Sequence, residues 1–187
     1  MNFRVDVRSN SRKVFAEFRA FEDGLRDTAM VRAVNRAVDT AQTVGNAKIR
    51  ESYNLKAGVV RTAMTKKRAH RGMAGGARGV LIVGGNPIGL IDFDARQTRR
   101  GVTVRIKKGN GRKVLSTAFI ATTKAGYRGV FRRTTKDRYP IKNLRSVSIP
   151  QTFINRIVIQ AVDAATMESF ERNLAQQTKY LMSKSHG

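Results

Sequence analysis

The sequence predicts an α+β fold, with N-terminal helices, a central antiparallel sheet and a C-terminal helix. Three observations predict it. A stripe of small apolar residues at helical spacing runs through residues 28–51. Runs of alternating apolar and polar residues, separated by glycines, fill residues 80–133. A second helical stripe follows Pro150. The length, 187 residues, suits one domain with a real core, and the 41% apolar content is well above that of disordered chains. Residues 1–187 are therefore expected to form a single domain, with a mobile basic loop at about 65–79 and a frayed tail at 183–187.

Taken in order, Phe3, Val5 and Val7 alternate with Arg4, Asp6 and Arg8, which predicts a short strand. Ser9-Asn10-Ser11 offers caps for a helix from Arg12 carrying Phe15, Phe18, Phe21 or Glu22, and Leu25, weakened or ended by Gly24. A second helix is predicted from Thr28 to Glu51, capped at Asp27-Thr28. Its stripe is Val31, Val34, Val38, Ala41 and Val44 or Gly45, and the small residues predict close packing against another helix. Leu55, Val59, Val60 and Met64 suggest a third, short helix. The basic cluster of Thr65 to Arg71 then runs into the Gly-rich stretch Gly72–Gly79, read as an exposed loop.

Val80-Leu81-Ile82-Val83 is a buried-type strand, and Gly84-Gly85-Asn86-Pro87 turns the chain into the apolar run Ile88–Phe93. Val102, Val104 and Ile106 then alternate with polar residues up to Asn110-Gly111, the pair favoured in two-residue hairpin turns. That turn would set Ile106 opposite Leu115, Val104 opposite Thr117 and Val102 opposite Phe119. A second turn at Lys124-Ala125-Gly126 would set Phe131 opposite Phe119 and Val130 opposite Ile120, completing a three-stranded meander over Gly101–Arg133. Thr134 to Ile149 reads as irregular, anchored by Ile141 and Leu144. The final helix carries Phe153, Ile157, Ala161, Ala164 and Met167 or Glu168, and extends towards Tyr180-Leu181.

Charge separates the middle from the flanks. Between Ser52 and Ile149 stand 23 Lys and Arg against three acids, Asp92, Asp94 and Asp137, out of a whole-chain net charge of +24. Such a region repels itself unless something anionic lies opposite. The basic excess lies in Gly-rich, strand-like sequence rather than an amphipathic helix, which disfavours a membrane surface. No apolar run is long enough to span a bilayer, and the N-terminus lacks an apolar signal core, so export is not expected. Nucleic acid and acidic protein surfaces remain as partners. Tyr127, Phe131 and Tyr139 interleave with arginines as a base-stacking platform would, but the meander assigns Phe131 to its apolar face.

Chemistry is sparse. There is no Cys, and His70 and His186 lie in a basic loop and a tail without companion carboxylates, so neither a metal nor a cofactor is expected. Asp92 and Asp94 would share one face of a strand, the arrangement a nuclease pair needs. Arg96, Arg99 and Arg100 directly beyond them favour an ion pair instead. Gly75, Gly76, Gly79, Gly84 and Gly85 do not form a phosphate-loop pattern. No catalytic triad order appears, and an enzyme is not expected.

Several motifs carry a resemblance. They include Pro87-Ile88, Leu90-Ile91-Asp92-Phe93, Ala95-Arg96-Gln97-Thr98-Arg99-Arg100-Gly101, Ala118-Phe119-Ile120-Ala121, Gly129-Val130-Phe131-Arg132-Arg133 and Ser148-Ile149-Pro150-Gln151. Together they resemble the prophage minor tail protein Z family of long-tailed bacteriophages. Upstream, Asn35-Arg36-Ala37 and Tyr53-Asn54-Leu55-Lys56 look like that family's N-terminal half. Residues before about Arg26 and after Gln151 carry little of the likeness.

The family is similar to the tail completion protein of lambda-like phages. The resemblance implies a non-enzymatic virion protein at the head-proximal end of the tail, assembled in the host cytoplasm. It would make the tail competent for head joining and help place the DNA end. Its partners would be further copies of itself in a ring (six by analogy with tail symmetry), tail terminator or tube proteins, head–tail connector proteins and viral DNA. The residues expected to meet DNA phosphates or acidic partners are Arg96, Arg99 and Arg100, then Lys107, Lys108 and Arg112, then Arg132 and Arg133. Lys66, Lys67 and Arg68 of the basic loop join them. A cytosolic nucleic-acid-binding protein is the alternative reading of the same charge.

Overall fold

In the computed structural model of the chain, residues 3–7, 23–71 and 76–185 are described. The helix expected from Arg12 lies outside them as far as residue 22, and its last residues, Gly24 and Leu25, fall in the long helix that follows; the centre of the Gly-rich loop also lies outside. The frame is two long antiparallel helices, α1 (Asp23–Ser52) and α4 (Arg156–Ser185). Arg32 reaches Gln177 (3.1 Å) and Thr40 reaches Ser169 (2.8 Å), so the helices run past each other in opposite directions. Small residues permit the closeness: a Cβ on Gly45 would lie 2.7 Å from the Phe153 ring and 3.5 Å from Val162. The expected close helix packing is therefore present. Helix α1 begins at Asp23, ahead of the Thr28 start expected.

The stripe on α4 differs from expectation. Its buried face is Val158, Val162, Thr166, Phe170, Leu174, Thr178 and Leu181, whereas Ile157 is 71% exposed. Both rows have helical spacing. The polar Thr166, Ser169 and Thr178 disguise the buried one, since each packs at the helix seam or bonds locally, as Thr178 does to the Leu174 carbonyl. Before α4, the short helix α3 (Ile149–Phe153) opens with a capping box. Ser148 Oγ accepts from Gln151 N–H, and Gln151 Oε1 accepts from Ser148 N–H.

Three small antiparallel sheets lie beside the helices. The first pairs β1 (Phe3–Val7) and β2 (Met64–Lys67) with the central β3 (Gly79–Val83). Helix α1 crosses it closely, because a Cβ on Gly79 would strike Val34 and Val38. The short helix α2 spans Ala57–Thr62, so Met64 to Lys67 is strand, where a helix end and the start of a loop were expected. Met64 is buried and Lys66 bonds across α1, and these tertiary contacts override the local basic character.

The second sheet is β4 (Arg96–Thr98), β5 (Gly101–Val104) and β6 (Lys113–Leu115); the third is β7 (Ala118–Thr122), β8 (Arg128–Arg133) and β9 (Ile141–Asn143). The expected meander is thus divided between two sheets. Phe119 does pair with Phe131 and Ile120 with Val130. Val102, however, pairs with Leu115 rather than Phe119, and Val104 with Lys113 rather than Thr117. The Asn110-Gly111 turn does not close β5 directly on β6. The segment from Arg105 to Arg112 instead leaves the ladder to bond elsewhere: Asn54 N–H donates to Ile106 O, and Lys108 N–H donates to Ser52 O. The apolar face survives because the shift is an even number of residues. Strands β4 and β9 were not foreseen, since β4 is exposed throughout and β9 is only half-buried.

One core joins the helices and sheets through Ile49, Phe93, Leu81, Val102, Val130, Phe153 and Phe170. Ile88–Phe93 enters it as an extended stretch paired with 144–147 and ending in a 3-10 turn at Leu90–Asp92.

Candidate anion-facing surface

The basic residues of the middle fall into groups with different surroundings. In the first, Asp39 on α1 is held by Lys66 Nζ at 2.6 Å and by Arg68 Nη2 at 3.0 Å. Burial alone would raise the Asp39 pKa, but the hydrogen bond and charge of Lys66, then of Arg68, outweigh it and hold the carboxyl below its ordinary value. Lys67, between them in sequence, alternates to the other face of β2, where it is exposed.

In the second group, Asp94 lies at the turn after Phe93, with a φ of 50°. Arg112 donates to its carboxylate at 2.5 Å and also to its backbone carbonyl, and Arg96 Nε lies 3.3 Å from the other carboxylate oxygen. The Arg112 hydrogen bond leads in lowering the Asp94 pKa; partial burial opposes it and Arg96 adds to it. Asp92 behaves oppositely. Burial pushes its carboxyl up, and the charge of Lys56 offsets that only in part. The two acids do not share a strand face, as the sequence suggested: Asp92 ends a 3-10 turn and Asp94 is spent on two guanidiniums.

The third group is the β4–β5 hairpin tip. Thr98 pairs with Gly101, leaving Arg99 and Arg100 as the turn residues, both exposed. The motif Ala95–Gly101 builds this tip from its uncharged members. Thr98 Oγ1 and Gln97 Nε2 both donate to Gly101 O, at 2.9 and 3.3 Å. Gln97 Oε1 accepts from Ile120 N–H at 2.8 Å and so ties the tip to the third sheet. Gly101 has a φ of 120°, and a Cβ there would strike the Leu115 carbonyl. Composition pointed to the arginines; Gln97 and Thr98, which position them, give no signal apart from the motif itself.

Gly101 lies against Leu115 and Ser116, and Ala118, two residues on, pairs with Arg132. The tip therefore shares one end of the sheets with Arg132 and Arg133. Arg133 sits over the Phe119 ring at 5.5 Å, and Tyr127 and Phe131 meet edge-on at 6.4 Å. Phe131 is buried and Tyr127 is 44% exposed, so these two rings pack with Phe119 on β7–β8 instead of forming a free stacking platform, while Tyr139 is exposed. Lys107 and Lys108 lie at the opposite end of β5, beside the end of α1, with Lys107 Nζ 5.9 Å from the Tyr53 ring. The structure does not gather the eleven candidates into one patch. Lys66, Arg68, Arg96 and Arg112 are paired with acids. Arg99, Arg100, Arg132, Lys67 and Lys108 are exposed with no acidic partner among the described residues.

Among the described residues there is no group of three or more His, Cys, Asp or Glu placed to hold a metal, and no helix is long and apolar enough to cross a membrane. His70 Nδ1 lies 3.0 Å from the Arg71 carbonyl; His186 is outside the described residues.

The chain is thus an α+β body with two exposed arginines on a tightly folded turn. The model of the prophage minor tail protein Z family matches residues 89–185, more than half of the chain, and the chain belongs to that family. It is a structural protein of the bacteriophage tail and is associated with the virion. The match contains the hairpin tip, the third sheet and all of α4, so it extends well beyond Gln151; Asn35–Ala37 and Tyr53–Lys56 fall outside it. No curated protein and no solved structure matches the chain.

Proposed function

We propose that the chain is a tail completion subunit at the head-proximal end of the tail, where it makes the tail competent to join the head. The observation that carries this reading is the Arg99–Arg100 tip. Family motif residues fold it, it lies inside the family match, and it has no acidic partner within the described chain. A turn held this firmly presents its two guanidiniums at low entropic cost to an anionic surface. Arg132 and Arg133 lie at the same end, and Lys67 and Lys108 add separate cationic points. The partners are tail terminator or tube proteins, connector proteins and the end of the viral DNA, met by several copies in a ring. In this role the protein acts by contact and has no catalytic step.

The test is the Arg99→Glu/Arg100→Glu double variant, supplied during phage growth. Tails lacking joined heads, visible by electron microscopy, and a collapse of infectious yield are expected. Normal yield from a folded double variant would refute the reading.

A further inference from the structure

The row Ile157, Ala161, Ala164, Glu168 and Glu171 recurs at spacings of four and three residues along α4, so it forms one continuous face. That face points away from α1, whose contacts are made by the opposite row of Val158, Val162 and Phe170. Ile157 is 71% exposed, and Ile154, just before the helix, is 42% exposed. Between Ile157 and Glu171 there are three acids, Asp163, Glu168 and Glu171, and no Lys or Arg; Arg156 and Arg172 bound the strip, and Arg172 Nη1 lies 3.8 Å from Glu168 with both side chains largely exposed. In a chain of net charge +24, this is an apolar and acidic strip without a covering element among the described residues.

The opposite character occurs at the end of the third sheet. Residues 132–140 are all exposed and contain Arg132, Arg133, Lys136 and Arg138 against the single acid Asp137. Tyr139, 62% exposed, stands among them, with Arg138 5.9 Å from its ring. Each surface offers what the other lacks: an exposed apolar side chain, Ile157 or Tyr139, on an element whose neighbouring charges are of opposite sign.

We infer that the outer face of α4 in one copy docks on the Arg132–Tyr139 surface of the next copy. The contact joins two different patches, so it is head-to-tail and propagates until it closes into a ring or continues as a filament. The inference rests on the proposed function in naming a partner for the basic end of the sheets: a second copy of this chain. Viral DNA or another tail protein on the same surface is the competing outcome.

The experiment is sedimentation velocity on the whole chain, up to about 100 μM at low salt, with circular dichroism as the check on folding. The wild type should form species larger than a dimer. Glu168→Lys/Glu171→Lys and Arg132→Glu/Arg133→Glu should each weaken self-association about tenfold or more. An equimolar mixture of these two charge-reversed chains should associate again, because each restores an opposite charge to the other. Ile157→Asp should weaken association without rescue by either. A wild type that stays monomeric, association that neither reversal changes, or a mixture that fails to associate overturns the inference. Infectious yield of the Arg99/Arg100 variant is read separately, so either reading can fail while the other stands.

Discussion

The cations around Asp39 and Asp94 and those at the hairpin tip share one sequence character and have opposite surroundings. Lys66, Arg68, Arg96 and Arg112 are drawn onto two carboxylates that the fold places among them. Arg99, Arg100 and Arg132 face solvent with no such partner among the described residues. The difference separates charge that is neutralised within the fold from charge that is left facing solvent. Proximity in sequence does not draw the line: Arg96 and Arg99 are three residues apart and fall on opposite sides of it.

The largest expected effect breaks the comparison on the assembly side. Arg99→Glu/Arg100→Glu should cut infectious yield about 100-fold or more, since like-charge juxtaposition at an interface costs several kcal/mol. Its thermal midpoint should stay within about 2 °C of the wild type, because exposed residues away from special features contribute little to stability. By contrast, Lys66→Glu/Arg68→Glu would set two carboxylates against Asp39 and lower the midpoint clearly. Differential scanning calorimetry beside plaque titre checks both arms.

Next comes the scaffold of the tip. Gly101→Ala forces a side chain into a left-handed backbone and against the Leu115 carbonyl. A loss of about 2 kcal/mol is expected, a fall in midpoint of about 4–8 °C. Gly109→Ala is the control, since a Cβ there meets nothing within 4 Å. Equal midpoints for the two variants would show that the tip tolerates distortion.

How much of this division the sequence carried can be judged from single residues. The fold class followed from periodicity, and the Phe119–Phe131 register followed from a good turn. The Val102 register failed because the turn at Asn110-Gly111 sits at the end of a segment whose backbone bonds to the end of α1, a tertiary fact no local pattern encodes. The outward α4 row was read as the buried one because Thr166, Ser169 and Thr178 make the true seam look polar. Among the site residues, the motif directed attention to Arg99 and Arg100. Nothing in the sequence revealed that Asp39, more than 25 residues upstream, claims Lys66 and Arg68.

A smaller effect follows from pH. Asp39 and Asp94 have lowered pKa values in the folded chain, so each stabilises fully above the ordinary aspartate value of about 3.9 and loses that contribution as pH falls through its folded pKa. Asp92 has the opposite sign. Its folded pKa is raised, so it opposes folding once ionised, increasingly as pH rises from about 3.9 through that raised value. Asp92→Asn should therefore raise the midpoint slightly at pH 7 and have no such benefit at pH 3. Asp94→Asn should lower it at pH 7, with the difference vanishing in acid. Calorimetry across the two pH values checks the crossing, and the same sign for both variants at neutral pH would contradict the assigned environments.

The smallest expected effect tests whether the paired cations are held in reserve. Asp39→Asn removes the carboxylate from Lys66 and Arg68, whose side chains are 24% and 52% exposed. Asp39 itself is 41% exposed, so solvent screens much of the attraction and the stability loss should be only about 0.5 kcal/mol. The released charges would join Lys67 as a free basic group at the edge of the first sheet. If the line between structural and assembly cations lies where the fold draws it, this extra free charge far from the hairpin tip leaves head joining unchanged. Infectious yield equal to wild type is therefore expected, together with a small rise in salt-sensitive DNA retention measured by filter binding. A drop in yield as large as that of the Arg99/Arg100 variant would mean that the Asp39 clamp belongs to the assembly surface.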